Sequence, residues 1–300
     1  MGTIVRAPLR ADHYRALLGM IRSYPKPLDG LRRYLGKSGS YPCRFRVRTP
    51  LGVVAPKLYS SDDMRTLNEV FCRGDYRVGR RVLVAVDIGS NIGISALYFL
   101  TRDPACRVHL FEPDPRNVQR LRENLVGFES RYTIDEVAVG VEGGRAIFGT
   151  EPTGRYGTLR LDIPTRHPAT ELIEVEVRSL NRILREVLER EEHIDVLKID
   201  TEGSEADLVA SIDPTLLDRT EVILYETDEP TRLHPNRYGH HYSAQVNRLT
   251  AIRGQRARTP LRRRTRTAKV LLPRASDRVV GSPRGAEASD WADDGQALLT

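Results

Sequence analysis

The sequence predicts an α/β protein built on a mostly parallel, doubly wound sheet. Three observations carry that expectation. Short apolar runs of strand length recur at 82–88, 108–111, 194–199 and 222–225, as strands buried on both faces require. Amphipathic helical stretches separate them, with Val118, Leu121 and Leu125 on one face and Leu180, Ile183, Leu184, Val187 and Leu188 on another. The glycine-bearing and acidic motifs fall just after the strands, where ligands bind in such sheets.

Taken in order, residues 1–40 are basic and broken at Pro25-Lys26-Pro27, and read as a helical or irregular extension. Alternation across 43–58 predicts strands around a Thr49-Pro50-Leu51-Gly52 turn. Ser61 or Asp62 caps a short helix through Phe71, with Met64, Leu67, Val70 and Phe71 on one face. The core units follow: strand 82–88, a glycine turn and a helix carrying Ile94, Leu97 and Leu100, then strand 108–111. Asp114 caps the next helix with Pro115 at its first position, and strand 132–139 comes after it. Residues 140–178 read as a hairpin insertion, 204–212 and 243–252 as helices, and Val270-Leu271-Leu272 as a last strand. The division expected is a 1–78 lead-in, a 79–281 main α/β domain and a 282–300 polar tail that includes Trp291.

Composition excludes several classes. With 300 residues, 40% apolar and 29% charged, the chain can bury a core. No apolar run approaches the ~20 residues of a membrane span, and 17–21 is too short for a signal-peptide core. Arg6 stands where myristoylation of Gly2 would require Ser or Thr. Cys43, Cys72 and Cys106 are odd in number and form no CxxC pair, so neither a disulfide framework nor a zinc knuckle is expected, and a cytoplasmic setting is. No metal-ligand cluster stands out, and no metal is expected. Of the net charge of +7, residues 251–274 contribute +9, leaving −2 on the rest. A role in binding RNA or another anionic ligand would rest on that segment, with its Arg262-Arg263-Arg264 run. It lacks the interleaved aromatics of a single-strand RNA platform, so nucleic acid is not the expected partner.

Three motifs carry chemistry. Val86-Asp87-Ile88-Gly89-Ser90-Asn91-Ile92-Gly93 follows the first core strand and opens a helix. Its glycines permit a sharp turn and close approach to a ligand. Asp87 disfavours a phosphate, and the spacing is G-x-x-x-G, which counts against a nicotinamide oxidoreductase. Phe111-Glu112-Pro113-Asp114-Pro115 places an acid at the end of the second strand, where it can accept both hydroxyls of a ribose. Leu197-Lys198-Ile199-Asp200-Thr201-Glu202-Gly203-Ser204-Glu205 puts further carboxylates at the same rim.

These motifs in this order, with Val137–Gly144 (VAVGVEGG) between them and DDMRTLNEVFCRGDY at 62–76 ahead, resemble the FkbM family of S-adenosylmethionine-dependent methyltransferases. The resemblance covers about 60–225 and implies a class I methyltransferase (Rossmann-like) fold: a seven-stranded sheet with an antiparallel last strand. It also implies O-methylation of a sugar, glycan or polyketide-like natural-product hydroxyl, with S-adenosylmethionine as donor. Carried across, Asp87, Gly89, Asn91 and Gly93 line the methionine half of the cofactor, Glu112 holds the ribose, and the backbone at Glu136, Val137 and Ala138 flanks the adenine. Asp200 and Glu202 face cofactor and acceptor, and Glu69 and Tyr76 close the site. The chain departs from the family's Leu-Asp at Leu180-Asn181, and the family's terminal strands are sought in the Arg-rich 253–274 stretch.

An aliphatic hydroxyl needs a base within reach. The carboxylate candidates are Asp200, Glu202 and Glu205, and the imidazole candidates are His234, His240 and His241, of which His241 is retained as the catalytic expectation. Glu205 reads better as a first-turn helix acid. Residues 1–60, 140–178 and 228–243 are expected to shape the acceptor pocket.

Overall fold

The computed structural model describes residues 11–79, 81–151, 154, 157–159 and 171–252. The basic 253–274 segment, Val270-Leu271-Leu272 and the 282–300 tail lie outside them. The lead-in comprises helices α1 (Ala11–Ser23) and α2 (Pro27–Gly36), strands β1 (Cys43–Arg44), β2 (Val47–Thr49), β3 (Gly52–Val54) and β4 (Lys57–Leu58), and helix α3 (Ser61–Asn68). The expected strand alternation resolves into two ribbons, β2–β3 and β1–β4. The cap of α3 is Ser60, one residue earlier than expected: its hydroxyl accepts from Asp63 N–H while the Asp63 carboxylate accepts from Ser60 N–H. A π-helical turn, Glu69–Arg73, follows and ends on Gly74 at φ 77°. Gly19 of α1 lies so close to this turn that a Cβ there would be 2.0 Å from the Cys72 carbonyl oxygen.

The core then alternates: β5 (Val84–Ile88), α4 (Ile94–Leu100), β6 (Arg107–Phe111), α5 (Pro115–Asn124), β7 (Tyr132–Asp135). Asp114 caps α5 as expected, accepting from Arg116 N–H. The expected third strand is in fact two, β7 in the main sheet and β8 (Ala138–Gly140) in a small one, because the chain breaks at Glu136-Val137. The small sheet, β8-β10-β9, is built from the hairpin of β9 (Gly144–Thr150) and β10 (Glu171–Ser179). Then follow α6 (Leu180–Glu191), β11 (Ile194–Ile199), α7 (Glu205–Ala210), α8 (Pro214–Leu217), β12 (Thr220–Glu226), β13 (Tyr238–Ser243) and β14 (Val246–Ala251).

The main sheet has seven strands in the order β13-β14-β12-β11-β5-β6-β7. β14 runs antiparallel to both neighbours, and the other pairings are parallel. This is the sheet expected for a class I methyltransferase. The apolar face of α6 packs on it with Val86, Ile88, Leu197, Ile199 and Ile223.

The helix expected at 243–252 is a β-hairpin. Ala244 and Gln245 both take positive φ, 54° and 68°, which makes the two-residue turn that antiparallel strands favour. Val246 and Leu249, spaced like a helix face, are buried strand residues. The family's terminal strands thus precede the Arg-rich stretch.

Asn124 ties the lead-in to the core. Its Oδ1 accepts from Lys57 N–H (2.7 Å), and its Nδ2 donates to the carbonyls of Lys57 (3.2 Å) and Ile92 (2.9 Å). Asn124→Ala leaves these backbone groups unpaired and is expected to lower stability by ~2–4 kcal/mol in urea unfolding.

Candidate active site

Strand order reverses between β5 and β11, so the loops beyond these two strands open the crevice in which doubly wound sheets bind ligands. The loop after β5 is held by its own side chains. Ser90 Oγ donates to the Asp87 carbonyl (2.7 Å) and accepts from Phe111 N–H (3.2 Å). Gly89 sits at φ 70°, and a Cβ there would be 1.8 Å from the Asp200 carbonyl oxygen, so no other residue fits. Gly93, at φ 84°, serves packing: a Cβ would lie 3.0 Å from Leu121 Cγ on α5.

Beneath this loop lies a buried charge cluster. The Lys198 ammonium is 3.1 Å from Asp87 and 3.4 Å from Asp200, and donates to the carbonyls of Gly89 (2.7 Å) and Ile88 (3.2 Å). Ser95 Oγ donates to the other Asp87 oxygen at 2.6 Å. Burial opposes the lysine's charge, but Asp87 and Asp200 hold its pKa above the ordinary value. Burial raises that of Asp87, against the pull of Lys198.

Two cavities meet above the cluster. The first has apolar walls, Phe111, Val137, Val139, Phe148 and Leu159, with Glu112 and Asn117 among them. Glu112 is 4% exposed; it accepts from Asn91 N–H (2.8 Å), Asp114 N–H (3.1 Å) and Asn117 Nδ2 (3.3 Å). Burial nevertheless pushes its pKa up to about 7. Asn117 Oδ1 is buried with no hydrogen-bond partner. The second cavity is polar, lined by Asp63, Glu69, Asp75, Tyr76, Lys198 and Glu226 among others. Tyr76 donates to Glu226 at 2.8 Å, and burial, then Asp200, pushes Glu226 up to about 8. Gly89, Asn91, Asp200 and Glu202 line both cavities.

The structure therefore gathers most of the residues singled out from the sequence and separates others. Gly89, Asn91, Glu112 and Val137 line the first cavity, Glu69 and Tyr76 the second, and Asp200 and Glu202 both. Asp87 and Gly93 stand behind the walls. The Glu136 side chain is exposed and pairs with Arg122 at 2.8 Å, leaving only its backbone near the first cavity. His241 lies in neither cavity; as a β13 residue it lines an outer one. His234 Nε2 is 2.7 Å from the Val209 carbonyl and His240 Nε2 is 2.8 Å from Asn247 Oδ1. Glu205 accepts from Thr201 and Gly203 N–H, a helix-start role. Among its described residues, the 140–178 insertion contributes Phe148, Gly154, Gly157 and Leu159 to the apolar cavity and none to the polar one, whose outer wall is the lead-in. Asn181 donates to the Ser211 carbonyl (2.8 Å) and accepts from Asp213 N–H (2.9 Å), a brace that an aspartate could not complete.

Sequence reasoning passed over Lys198 and Glu226. The signal for Lys198 was a lysine set between the apolar Leu197 and Ile199 of a strand read as buried, which burial permits only with partners. Glu226 carried the same strand-end signal as Glu112.

The Methyltransferase FkbM domain matches residues 87–241. The chain is 34% identical over 147 residues to the 2-O-methyltransferase NoeI of Sinorhizobium fredii, covering 44% of this chain and 58% of that protein. It is 24% identical over 179 residues to the methyltransferase sdnD of Sordaria araneosa, covering 50% and 68%. The chain thus spans roughly three fifths to two thirds of the length of these curated relatives. The crystal structure of an FkbM methyltransferase from Methylobacillus flagellatus aligns with 16% identity and a TM-score of 0.35, over 55% of this chain and 43% of that one.

Lys198→Met leaves Asp87 buried and uncompensated. It is expected to destabilise the fold by ~3–5 kcal/mol in urea unfolding. The loss should shrink as pH falls and Asp87 takes up a proton. Replacing both residues, Asp87→Leu with Lys198→Met, should restore most of it.

Proposed function

The chain belongs to the FkbM methyltransferase domain family, and from that premise we propose that it moves a methyl group from S-adenosylmethionine to a hydroxyl of a sugar, glycan or polyketide-like acceptor. The observation that carries the reading is the meeting of an apolar cavity that holds Glu112 and Asn117 with an acidic one across Gly89, Asn91, Asp200 and Glu202. The name of the 2-O-methyltransferase relative supports a hydroxyl as acceptor. The free thiols of Cys43, Cys72 and Cys106 suit a cytoplasmic setting.

The residues present fit the donor. Glu112 retains acceptor capacity for a ribose hydroxyl, the unpartnered Asn117 Oδ1 offers a second acceptor, and Phe111, Val137 and Phe148 offer an apolar slot for the base. When bound, the donor supplies a methyl group activated by a positively charged sulfonium. Asp200, Glu202 and Glu69 give the adjoining cavity the opposite sign of charge. Much of the catalysis can come from positioning alone. For the acceptor proton, Glu226 is the base we favour over His241: it lines the polar cavity, Tyr76 fixes its orientation, and its pKa of about 8 lies near working pH.

Calorimetric titration with S-adenosylmethionine, S-adenosylhomocysteine and NAD tests the donor. The adenosyl ligands should bind and NAD should not; a folded chain that binds neither adenosyl ligand, or prefers NAD, overturns the reading. Glu112→Gln suits this test better than Asp87→Ala, which strands Lys198.

The pH dependence has a definite sign. A ribose diol needs Glu112 ionised, so adenosyl affinity should rise roughly tenfold from pH 6 to 8 across its pKa of about 7, and Glu112→Gln should flatten that rise. Stability of the free protein runs the other way. With the folded-state pKa raised, the contribution of Glu112 is fully present below its unfolded value and is lost as pH climbs to about 7. Turnover should increase through about pH 8 as Glu226 ionises, and Glu226→Gln should lower kcat by ~10²–10⁴ with little change in donor affinity.

A further inference from the structure

Outside the acidic cavity lies a third one of opposite sign, about 990 Å³ including its open mouth, which shares only Asp75 with its neighbour. One wall is the β13–β14 hairpin and the other is the end of the π-helical turn with the segment after it. His241 pairs directly with Arg248 across the hairpin, so their side chains stand side by side on one face, with Ser243 two residues along. Arg73 and Arg77 approach from the opposite wall.

The charges here are not balanced from within. Asp75 is the acid of the cavity, and its carboxylate is engaged by Arg73, which also reaches Glu69. Arg248 donates to the Asp75 carbonyl at 3.0 Å, but its Nε is buried without a hydrogen-bond partner. Burial lowers the pKa of Arg248, and Arg77 beside it acts in the same direction. Neither Arg77 nor Arg248 has an ion-pair partner among the described residues. Guanidinium groups converging on a cavity with unused donors match the geometry of an oxyanion.

We propose that this cavity is an anion subsite for the methyl acceptor: Arg77 and Arg248, flanked by His241 and Ser243, take a phosphate, sulfate or carboxylate group carried by the same molecule whose hydroxyl enters the acidic cavity. The inference rests on the methyltransferase reading and narrows its substrate class to anionic acceptors. Asp75 lies at the boundary between the two cavities, and its neighbour Tyr76 reaches Glu226 inside. An acceptor spanning that boundary would be oriented by its anion before the hydroxyl meets the base.

The test is titration of the full chain at fixed ionic strength with inorganic phosphate, inorganic sulfate and acetate, then with a hexose phosphate, a hexose sulfate and a hexuronate. S-adenosylhomocysteine is titrated in parallel. Saturable binding of one oxyanion class, weakened at least ~10-fold by Arg77→Gln and by Arg248→Gln but not by Arg145→Gln on exposed β9, supports the subsite and identifies the anion. Arg77 is exposed, so its variant reports even if Arg248→Gln unfolds. Normal S-adenosylhomocysteine binding with no saturable oxyanion binding, or with binding indifferent to Arg77, overturns the subsite and leaves the methyltransferase reading intact. Oxyanion binding without S-adenosylhomocysteine binding overturns the methyltransferase reading and the acceptor role with it.

Discussion

An ammonium group buried between two carboxylates holds this site together. Lys198 is 2% exposed and Asp87 is fully buried, so neither charge would survive without the other. Lys198 also donates to the carbonyls of Ile88 and Gly89, which end β5 and begin the glycine loop. One side chain therefore fixes the ends of two adjacent parallel strands and sets the height of Asp200 at the rim. Gly89 follows from the same closeness, because the Asp200 carbonyl occupies the space of a Cβ.

Around that anchor the molecule arranges three environments of different polarity within a short reach. The apolar cavity takes its far wall from the β8–β9–β10 insertion, whose own small core is Ala138, Phe148 and Val175. The acidic cavity takes its outer wall from the lead-in, so an element outside the sheet completes the site. The basic cavity needs the β13–β14 hairpin, which brings His241 and Arg248 opposite the arginines of the lead-in. Low dielectric in the buried parts keeps these fields distinct: Glu112 and Glu226 are pushed up by burial, whereas Lys198 is held charged by its partners.

Local pattern was sufficient where burial and local chemistry coincide. The largely apolar β5, β11 and β12 and the amphipathic α5 and α6 were legible, as was the Asp114–Pro115 helix start. Pattern misled at 243–252, where Val246 and Leu249 fit a helical period. Two left-handed residues, Ala244 and Gln245, and pairing with β12 decided for strands. It also misled at 132–139, one apolar run that the fold divides between two sheets.

The order of the core elements, the glycine loop and the strand-end acids can be read from residue type alone, because turn geometry and strand burial constrain it locally. Which charges face each other cannot be read that way. Lys198 meets Asp87 across 111 positions of chain, Tyr76 meets Glu226 across 150, and His241 stands with Arg248 rather than with Asp200. Such encounters depend on strand order and register, and those are settled by the packing of the whole sheet.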